Sequence, residues 1–258
     1  AGAGRRPPVH GTRRLTNPMA TDRFALVTGG GVRVGRAISE GLAQHGLHVA
    51  VHYNRSAKDA EETVAAISGQ GQRAIAVPGD LRDPTECAKL VERVLAEFGA
   101  LDVVVNSAAS FIQTRVGEAD ARTWDEVFAL NVRAPFLISQ AAAAVMRDEG
   151  CIVNIADLAG VQAWPSYLAH GSSKAALINL TRSLARALGP RIRVNAIAPG
   201  AVLLPEGFTQ KAAENLINET PLRRLGAPSD VVDAVRYLVD ADFVTGALVV
   251  VDGGRSAR

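Results

Sequence analysis

The sequence predicts an α/β protein built as a doubly wound parallel sheet of about seven strands, with helices on both faces of the sheet. Three observations lead to this prediction. Short apolar runs alternate with longer segments of helical periodicity, a glycine-rich turn follows the first apolar run, and 258 residues with 48% hydrophobic content can bury one large core. We therefore expect residues 23–258 to form one domain, preceded by a leader of residues 1–22.

The leader is rich in Arg, Pro and Gly and lacks apolar periodicity. Burial cannot offset the entropy that ordering such a segment costs, so we expect it to be disordered or only loosely ordered. Its first 18 residues contain four arginines and no acid, and removing their charge from the net charge of +2 leaves −2 for the remaining chain. This balance does not indicate a nucleic-acid partner.

No apolar run reaches the length of a bilayer span in the sequence, so we expect no membrane partner. The two cysteines, Cys87 and Cys151, lie far apart in the chain. We expect buried thiols rather than a disulfide, which fits a reducing, cytoplasmic location. No metal site is predicted.

The first element carries the most information: an apolar strand, Phe24 to Thr28, enters a turn that contains Gly29, Gly30, Gly31 and Gly35. Backbone N–H groups of such a turn meet a pyrophosphate at the positive end of the following helix. Arg33 stands where the middle glycine of G-x-G-x-x-G falls, and an ordinary β-to-α turn is the alternative. A strand, turn, helix and second strand within roughly thirty residues favour a dinucleotide site. The predicted cofactor contacts here are Thr28, Gly29, Arg33, Val34 and Gly35.

The second strand, Leu47 to Tyr53, is predicted to end beside the adenosine ribose, where an acidic residue binds the 2′-hydroxyl of NAD. Here Asn54, Arg55 and Ser56 follow the strand instead. A guanidinium and a hydroxyl suit a 2′-phosphate, so the sequence favours NADP(H) as the cofactor.

The remaining elements continue the alternation of strands and helices. Further strand-like runs are Ala74 to Val77, Leu101 to Val105, Cys151 to Ile155, Arg193 to Ile197 and Leu248 to Val251. Helical periodicity covers Thr85 to Phe98, Thr123 to Arg147, Leu168 to Leu188 and Ser229 to Val239. Because the ligand of such a sheet lies across the carboxyl ends of its strands, residues just after each strand are candidate contacts.

Each of these post-strand residues has a plausible chemistry. Asp80 can accept a hydrogen bond from the adenine amino group, and Ala108 is small enough to let the cofactor lie close. Phe111 can stack on a flat substrate, although an aromatic residue here is a core residue about as often. The turn after the sixth strand can cover the nicotinamide and bond its amide. The candidates are Asp80, Leu81, Asn106, Ala108, Phe111, Asp157, Pro199, Gly200 and Val202.

From about Arg23 to Ser256 the chain resembles the classical short-chain dehydrogenase/reductase family. The matching segments are Thr28-Gly29 with Gly35, Asp80-Leu81, Leu130-Asn131-Val132, Ser173 to Leu177, Arg193 to Gly200 and Val244 to Gly254. Within the family the chain is most similar to the pteridine reductases. Their features appear here as Arg33, His52 to Ser56, Ala109-Ser110-Phe111, Asp157 in the usual serine position, and Leu203-Leu204. The resemblance implies a Rossmann fold.

The resemblance also implies a chemistry: a hydride passes from the nicotinamide to a C=O or C=N bond, and a Tyr four residues before a Lys donates the proton. Lys174 is present, and Asn131 matches the residue that holds a proton-relay water. The residue four before Lys174 is His170, so the usual tyrosine is absent. By resemblance, Tyr167 contacts the substrate, together with Phe111 and Arg33.

His170 is a chemically reasonable proton donor, because a free histidine titrates at about pH 6.5. Lys174 favours a neutral His170, whereas Asp157 favours the charged form where it reaches the imidazole. Our hypothesis is that Asp157 and His170 deliver the proton together while Lys174 mainly holds the ribose. The alternative is a solvent-facing histidine on a nearly inactive relative.

Three function classes follow from these observations. The favoured one is an NADPH-dependent reductase of a small planar ring, such as a dihydropterin or a quinone. The second is a carbonyl reductase for 3-oxoacyl thioesters or short ketones, and the third is a catalytically weak NADP-binding protein. Arg33 discriminates between the first two, because it contacts substrate as well as phosphate in the first and only phosphate in the second.

Association and substrate access complete the predictions. The helices predicted at Arg133 to Arg147 and Leu168 to Leu188 are apolar around much of their circumference. Family relatives bury these helices in tetramers, so we expect a homotetramer. Residues Leu203 to Leu222 contain a predicted lid, Pro205 to Phe208 followed by a polar helix, which shapes the pocket of the small-molecule substrate.

Overall fold

A computed structural model describes residues 22–204 and 207–257. Within them, seven parallel strands form one sheet in the order β3-β2-β1-β4-β5-β6-β7, which confirms the predicted fold class. The strands are β1 Arg23–Thr28, β2 Leu47–Tyr53, β3 Ala74–Pro78, β4 Val103–Asn106, β5 Gly150–Ile155, β6 Ile192–Pro199 and β7 Leu248–Val251. The predicted leader, apart from Asp22, lies outside the described residues, as do Pro205 and Glu206 of the predicted lid.

Helices cover both faces of the sheet. They are α1 Arg33–Gln44, α2 Ala57–Ser68, α3 Pro84–Phe98, α4 Ala121–Phe128, α5 Ala134–Val145, α6 Leu168–Leu188, α7 Gln210–Glu219 and α8 Pro228–Asp240. Alternate residues of each strand face opposite layers, so Leu26 packs with α3, α5 and α6, whereas Val27 packs with α1, α2 and α8. Both layers are apolar, as expected for parallel strands that are buried on both faces.

The strand order reverses between β1 and β4, where the chain moves from one half of the sheet to the other. Thr28 at the end of β1 pairs with Asn106 at the end of β4, so both strands end at the same edge of the sheet. Such a reversal leaves a crevice between the connections on the two sides, and ligands of open α/β sheets bind there.

The predicted helix from Thr123 to Arg147 is interrupted. A π-helical turn, Ala129–Arg133, separates α4 from α5. The physical reason is Pro135, which has no N–H to donate to the carbonyl of Asn131 four residues earlier and whose ring crowds that carbonyl. The pattern of apolar residues does not indicate this break, because it continues unchanged past the proline.

Taken together, α4, the π-helical turn and α5 form a helical stretch, Ala121–Val145, that has a mean hydropathy of 1.3 over its most apolar window and is long enough to cross a membrane. This corrects the expectation that no apolar run reaches that length. In the fold, half of that window is buried, and α5 packs against α3 beside the sheet. A buried core helix passes the same test of length and composition.

Both cysteines are free and buried, as predicted. Cys87 on α3 belongs to one apolar layer and Cys151 on β5 to the other, so the sheet separates them. Burial raises the pKa of both thiols, that of Cys87 to about 11.

Asp102, just before β4, ties the start of the sheet together. Its carboxylate accepts a hydrogen bond from the Phe24 amide at 2.7 Å and a bidentate pair from the guanidinium of Arg147. Replacing Asp102 by Ala is expected to lower the free energy of unfolding by about 2–4 kcal/mol, because the Phe24 amide and Arg147 lose their acceptor.

Urea unfolding of the wild type and the variant measures this loss. The control is Asp233→Ala, since the exposed Asp233 forms a 4.0 Å pair with Arg236 on the surface of α8 and is expected to change stability by less than about 0.5 kcal/mol. Equal losses in the two variants would contradict the role given to Asp102.

Candidate active site

A cleft of about 1150 Å³ lies at the carboxyl ends of the strands, where the strand order reverses. It exceeds the roughly 300–1,000 Å³ of ordinary ligand pockets, which suits a dinucleotide together with a substrate. Most predicted site residues line it: Gly29, Arg33, Val34, Gly35, Asn54, Arg55, Ser56, Asp80, Leu81, Ala108, Phe111, Asp157, Tyr167, His170, Lys174, Pro199, Gly200 and Val202. Thr28, Asn106 and Asn131 are not part of this lining.

The side chains of Thr28 and Asn106 support the cleft from behind its wall. Thr28 Oγ1 accepts hydrogen bonds from the amides of Ser107 and Ala108 at 2.9 and 3.0 Å. Asn106 Nδ2 donates to Asn154 Oδ1 at 2.8 Å inside the sheet. The Thr28 side chain therefore holds the loop after β4, and the Asn106 side chain joins β4 to β5. Their contact with the cofactor stays a prediction.

The glycine turn leaves little space for side chains where the pyrophosphate is expected. A Cβ added to Gly35 would lie 2.1 Å from the Gly29 carbonyl oxygen, so a larger residue would displace the turn. Arg33 has a φ of 51°, a left-handed conformation that glycine adopts most easily. This conformation explains why the motif has a glycine at this position. Arg33 adopts the same conformation here, and its Nη2 donates to the Leu203 carbonyl at 2.9 Å.

His52, from the segment His52 to Ser56, supports the glycine turn from the end of β2. The Gly29 amide donates to His52 Nδ1 at 3.1 Å, and His52 Nε2 donates to the Gly79 carbonyl at 3.0 Å. The imidazole thus connects the ends of β1, β2 and β3. Burial lowers the pKa of His52 to about 4, so it stays neutral in this tautomer at neutral pH.

The predicted 2′-phosphate site lies at the start of α2. Asn54, Arg55 and Ser56 line the cleft there, and the Ser56 hydroxyl makes no capping bond to the helix. Among the described residues, Arg55 forms no hydrogen bond or ion pair. A guanidinium, a hydroxyl and the N-terminus of a 12-residue helix therefore lie together at this edge of the cleft, a combination that suits an anion.

Asp80 occupies the predicted adenine position but is already engaged. Arg82 donates to its carboxylate through the backbone amide and the guanidinium, at 2.5 to 3.2 Å. The Arg82 guanidinium holds the pKa of Asp80 below its ordinary value. Asp80 is therefore an ionised acceptor of fixed orientation, as a contact with an amino group requires.

Asp157, His170 and Lys174 meet at the centre of the cleft. Asp157 follows β5, and its Oδ1 accepts from the Ala159 amide at 2.8 Å, which leaves Oδ2 3.5 Å from His170 Nε2. Lys174, one turn after His170 on α6, donates from Nζ to the Ile155 carbonyl at 2.7 Å. Burial lowers the pKa of Lys174 to about 8, although Asp157 opposes this shift.

His170 is buried, with only 2% of its side chain exposed, so the alternative of a solvent-facing histidine is wrong. Its Nδ1 lies 3.0 Å from the Ser110 carbonyl oxygen, which can only accept a hydrogen bond, so Nδ1 carries a hydrogen. Nε2 has no hydrogen-bond partner among the described residues and lies nearest the Asp157 carboxylate. Nε2 is therefore the nitrogen that can gain or lose a proton.

Phe111 and Tyr167 form an aromatic wall beside this group. Their rings stack with centroids 4.4 Å apart and an interplanar angle of 22°. The Phe111 ring also meets the His170 imidazole edge to face at 4.8 Å. Phe111 is 44% exposed, which identifies it as a cleft residue rather than a core residue.

Asn131 lies fully buried in the π-helical turn, outside the cleft lining. Its Nδ2 donates to the Ser110 carbonyl at 3.1 Å and to Ser173 Oγ at 3.0 Å, while its Oδ1 accepts from the Ser110 amide at 2.8 Å. Both N–H groups of the Asn131 amide thus donate to protein atoms, and the expected role of Asn131 in holding a proton-relay water stays a prediction. In the described part of the chain, no group of three or more His, Cys, Asp or Glu is placed to hold a metal ion.

Comparisons with known proteins agree with this geometry. A family profile described as Enoyl-(Acyl carrier protein) reductase matches residues 31–256. The chain is 32% identical over 243 residues to the 3-oxoacyl-[acyl-carrier-protein] reductase FabG of Staphylococcus aureus, which covers 92% of this chain and 99% of that protein.

Two solved structures extend the comparison to bound cofactors. FolM alternative dihydrofolate reductase 1 from Brucella canis, complexed with NADP, is 35% identical, with a TM-score of 0.88 and coverage of 94% of this chain and 97% of that chain. A blue fluorescent protein from a metagenomic library, in complex with NADPH, is 33% identical, with a TM-score of 0.86 and coverage of 91% and 98%.

Proposed function

Because the chain belongs to the short-chain dehydrogenase/reductase family, a family of oxidoreductases, we propose that it reduces a C=N or C=O bond of a small planar ring, like the pteridine reductases. The cofactor is NADP(H), which relatives with NADP and NADPH bound support. The arrangement at the start of α2 agrees with this cofactor, because Arg55 and Ser56 line the cleft where the 2′-phosphate is expected.

One observation carries the choice of substrate class: the stacked rings of Phe111 and Tyr167 stand directly beside the Asp157–His170 pair. A flat conjugated ring gains stacking energy on such a wall, and a flexible acyl chain does not. Arg33 lines the same cleft, so its guanidinium can hydrogen-bond to a polar ring as well as to a phosphate.

The bound nicotinamide supplies the hydride, and the chain must supply a proton to the atom that becomes negative. Asp157 faces the cleft with 26% of its side chain exposed, whereas His170 behind it is buried. We infer that the pair holds one proton between Asp157 Oδ2 and His170 Nε2. Asp157 passes this proton to the substrate as the hydride arrives, so one C=N or C=O bond gains H⁻ and H⁺ in one turnover.

Lys174 holds the ribose in this mechanism, and its ionisation gives a testable pH dependence. Because the pKa of Lys174 is about 8, the ammonium is lost from the free protein as the pH rises through that value. The affinity for NADPH is expected to weaken above about pH 8, since a positive charge beside an anionic cofactor disappears.

Fluorescence titration with NADPH between pH 6 and pH 9.5 measures this effect. At the alkaline end, the affinity is expected to fall by at most roughly tenfold for each pH unit. In Lys174→Met the affinity is expected to be lower at pH 7 and to vary little over this range. The same alkaline weakening in that variant would assign the titration to another group.

The alternative function is reduction of 3-oxoacyl thioesters or other carbonyl compounds, which the similarity to FabG of Staphylococcus aureus supports. A third function is that of a catalytically weak NADP-binding protein, because His170 stands where the family has its proton-donating tyrosine. One experiment separates the three: NADPH absorbance is followed with dihydropterins, quinones and 3-oxoacyl thioesters, with NADH alongside. Turnover of a ring substrate supports the proposal, turnover of thioesters alone supports the alternative, and binding without consumption supports the third.

Arg33→Ala sharpens this test. For a ring substrate that touches Arg33, KM for the substrate is expected to rise about 10-fold, because a hydrogen bond to a charged group contributes roughly 1.5–3 kcal/mol. For a thioester, only the affinity for NADPH is expected to fall. Steady-state kinetics with each substrate measure the difference, and an unchanged KM for every ring substrate would remove Arg33 from the substrate site.

The oligomeric state and location also remain proposals. Trp124 and Phe136, on α4 and α5, are large apolar side chains that stay exposed, and Trp124 stacks on Phe128 at 5.0 Å. Such a surface supports association, and we propose a homotetramer in the cytoplasm. Sedimentation equilibrium tests the tetramer, and a monomer at micromolar concentration would overturn it.

A further inference from the structure

The backbone N–H and C=O groups of Ser110 lie at the centre of a hydrogen-bond network behind the active site. The Asn131 side chain bonds to both, with Oδ1 accepting from Ser110 N and Nδ2 donating to Ser110 O. The same carbonyl oxygen accepts from His170 Nδ1 at 3.0 Å. Asn131 and His170 therefore share one acceptor.

Ser173 closes the network from the other side. Its hydroxyl accepts from Asn131 Nδ2 at 3.0 Å and donates to the His170 carbonyl at 2.7 Å. Asn131 and Ser173 are fully buried, and His170 nearly so. Asn131 thus acts on the backbone of His170 through Ser173 and on its imidazole through Ser110.

The π-helical turn that contains Asn131 explains why this position is unusual. Such turns occur mostly as single insertions, and frequently at functional sites. Here the turn begins with Ala129 and ends before Pro135. It directs the Asn131 amide at the loop after β4, which carries Ser110.

From this network we propose that Asn131 and Ser173 are positioning residues that keep a hydrogen on His170 Nδ1, so that only Nε2, the nitrogen facing Asp157, exchanges protons. A carbonyl oxygen that is held in place accepts and never donates, so the imidazole must present Nδ1–H to it. The inference rests on the proposed role of His170 as a proton-holding group.

The groups around His170 agree with this assignment. Asp157 faces Nε2 from the loop after β5, and Lys174 follows one turn later on α6. Tyr167 stacks on Phe111, and the Phe111 ring packs edge to face with the imidazole. None of these groups competes for Nδ1, because Ser110 occupies it.

Nitrogen NMR of ¹⁵N-histidine-labelled full-length protein tests the proposal without any substrate. The chain has five histidines, and the spectrum of His170→Phe identifies the signals of His170. In the wild type, the Nδ1 shift is expected to stay in the range of a protonated nitrogen at every pH at which the protein is folded. In Asn131→Ala it is expected to move towards the unprotonated range, because the Ser110 carbonyl is no longer held.

Asn195→Ala is the matched control. Asn195 is as buried as Asn131, and its side-chain amide also bonds to backbone both as donor and as acceptor. It donates to the Val244 carbonyl at 2.8 Å and accepts from the Ala247 amide at 3.0 Å. It lies on β6 and has no bond to the network. This variant is expected to lose comparable stability and to leave the His170 shifts unchanged.

Kinetics give an independent readout once a substrate is found. In Asn131→Ala, kcat is expected to fall roughly 10-fold, part of the 10²–10⁴ that general acid catalysis contributes, with the Kd for NADPH changed by less than about 2-fold. Ser173→Ala removes less volume and is expected to shift Nδ1 in the same direction by a smaller amount. It serves as the test should Asn131→Ala fail to fold.

The outcomes separate the two proposals. An Nδ1 that stays protonated in both Asn131→Ala and Ser173→Ala overturns the positioning role and leaves the proposed function standing. Full turnover in His170→Phe overturns the proton-holding role of His170 itself. A shift of Nδ1 in Asn195→Ala of the same size as in Asn131→Ala overturns the specificity of the network.

Discussion

Replacing His170 by Phe is expected to lower kcat by roughly 10²–10⁴-fold, because the proton held between Nε2 and Asp157 is lost while the aromatic volume is kept. Asp157→Ala is expected to have a similar effect, since Asp157 is the member of the pair that faces the cleft. The affinity for NADPH is expected to change little in both variants. Stopped-flow measurement of NADPH oxidation with the best substrate of the panel gives the rate of hydride transfer.

The control for the histidine is His45→Phe. His45 pairs with Asp240 at 2.8 Å, away from the cleft, so its loss is expected to leave kcat unchanged. His170→Tyr is the informative second variant, because it restores the residue that the family uses as a donor, and it is expected to retain more activity than His170→Phe. Unchanged turnover in both His170→Phe and Asp157→Ala would contradict the proposed mechanism.

Replacing Arg55 by Ala is expected to weaken NADPH binding by roughly 10- to 100-fold and to leave NADH binding nearly unchanged. The reason is that a charge-assisted bond to phosphate contributes about 1.5–3 kcal/mol, and only NADPH carries the 2′-phosphate. Calorimetric or fluorescence titration with both nucleotides measures the two affinities.

Lys58→Ala is the matched control for the charge itself. Lys58 stands on α2 close to Arg55 and is 90% exposed, with its Nζ 3.9 Å from Glu62. Its removal is expected to weaken NADPH binding only slightly, because salt screens the long-range attraction between an exposed ammonium and the anionic cofactor. Equal losses of affinity for NADPH and NADH in Arg55→Ala would show that Arg55 does not bind the 2′-phosphate.

The strands and most helices follow from local pattern, because apolar runs and periodicity depend on residues close in sequence. The strand at Leu47–Tyr53 and the helix at Leu168–Leu188 have their predicted ends. The cleft residues after each strand were also predictable, since a parallel sheet brings all carboxyl ends to one edge. The break at Pro135 was missed because apolar periodicity continues through it.

The supporting contacts of the site could not be predicted in the same way. His52 bonds to a residue 23 positions earlier, and His170 to one 60 positions earlier. Such bonds depend on the register of neighbouring strands and the direction of single side chains. A histidine at the end of an apolar strand was the available signal for His52, and a polar residue four positions before a proline in an apolar helical segment was the one for Asn131.

The burial of both cysteines has a practical consequence for identifying the substrate. Quinones are electrophiles that alkylate thiolates, and a surface thiol would be consumed by them during an assay. Cys87 and Cys151 are shielded, and their raised pKa values leave almost no thiolate at neutral pH. Quinones can therefore be tested at high concentration without added thiol reductants, which would themselves reduce the compounds under test.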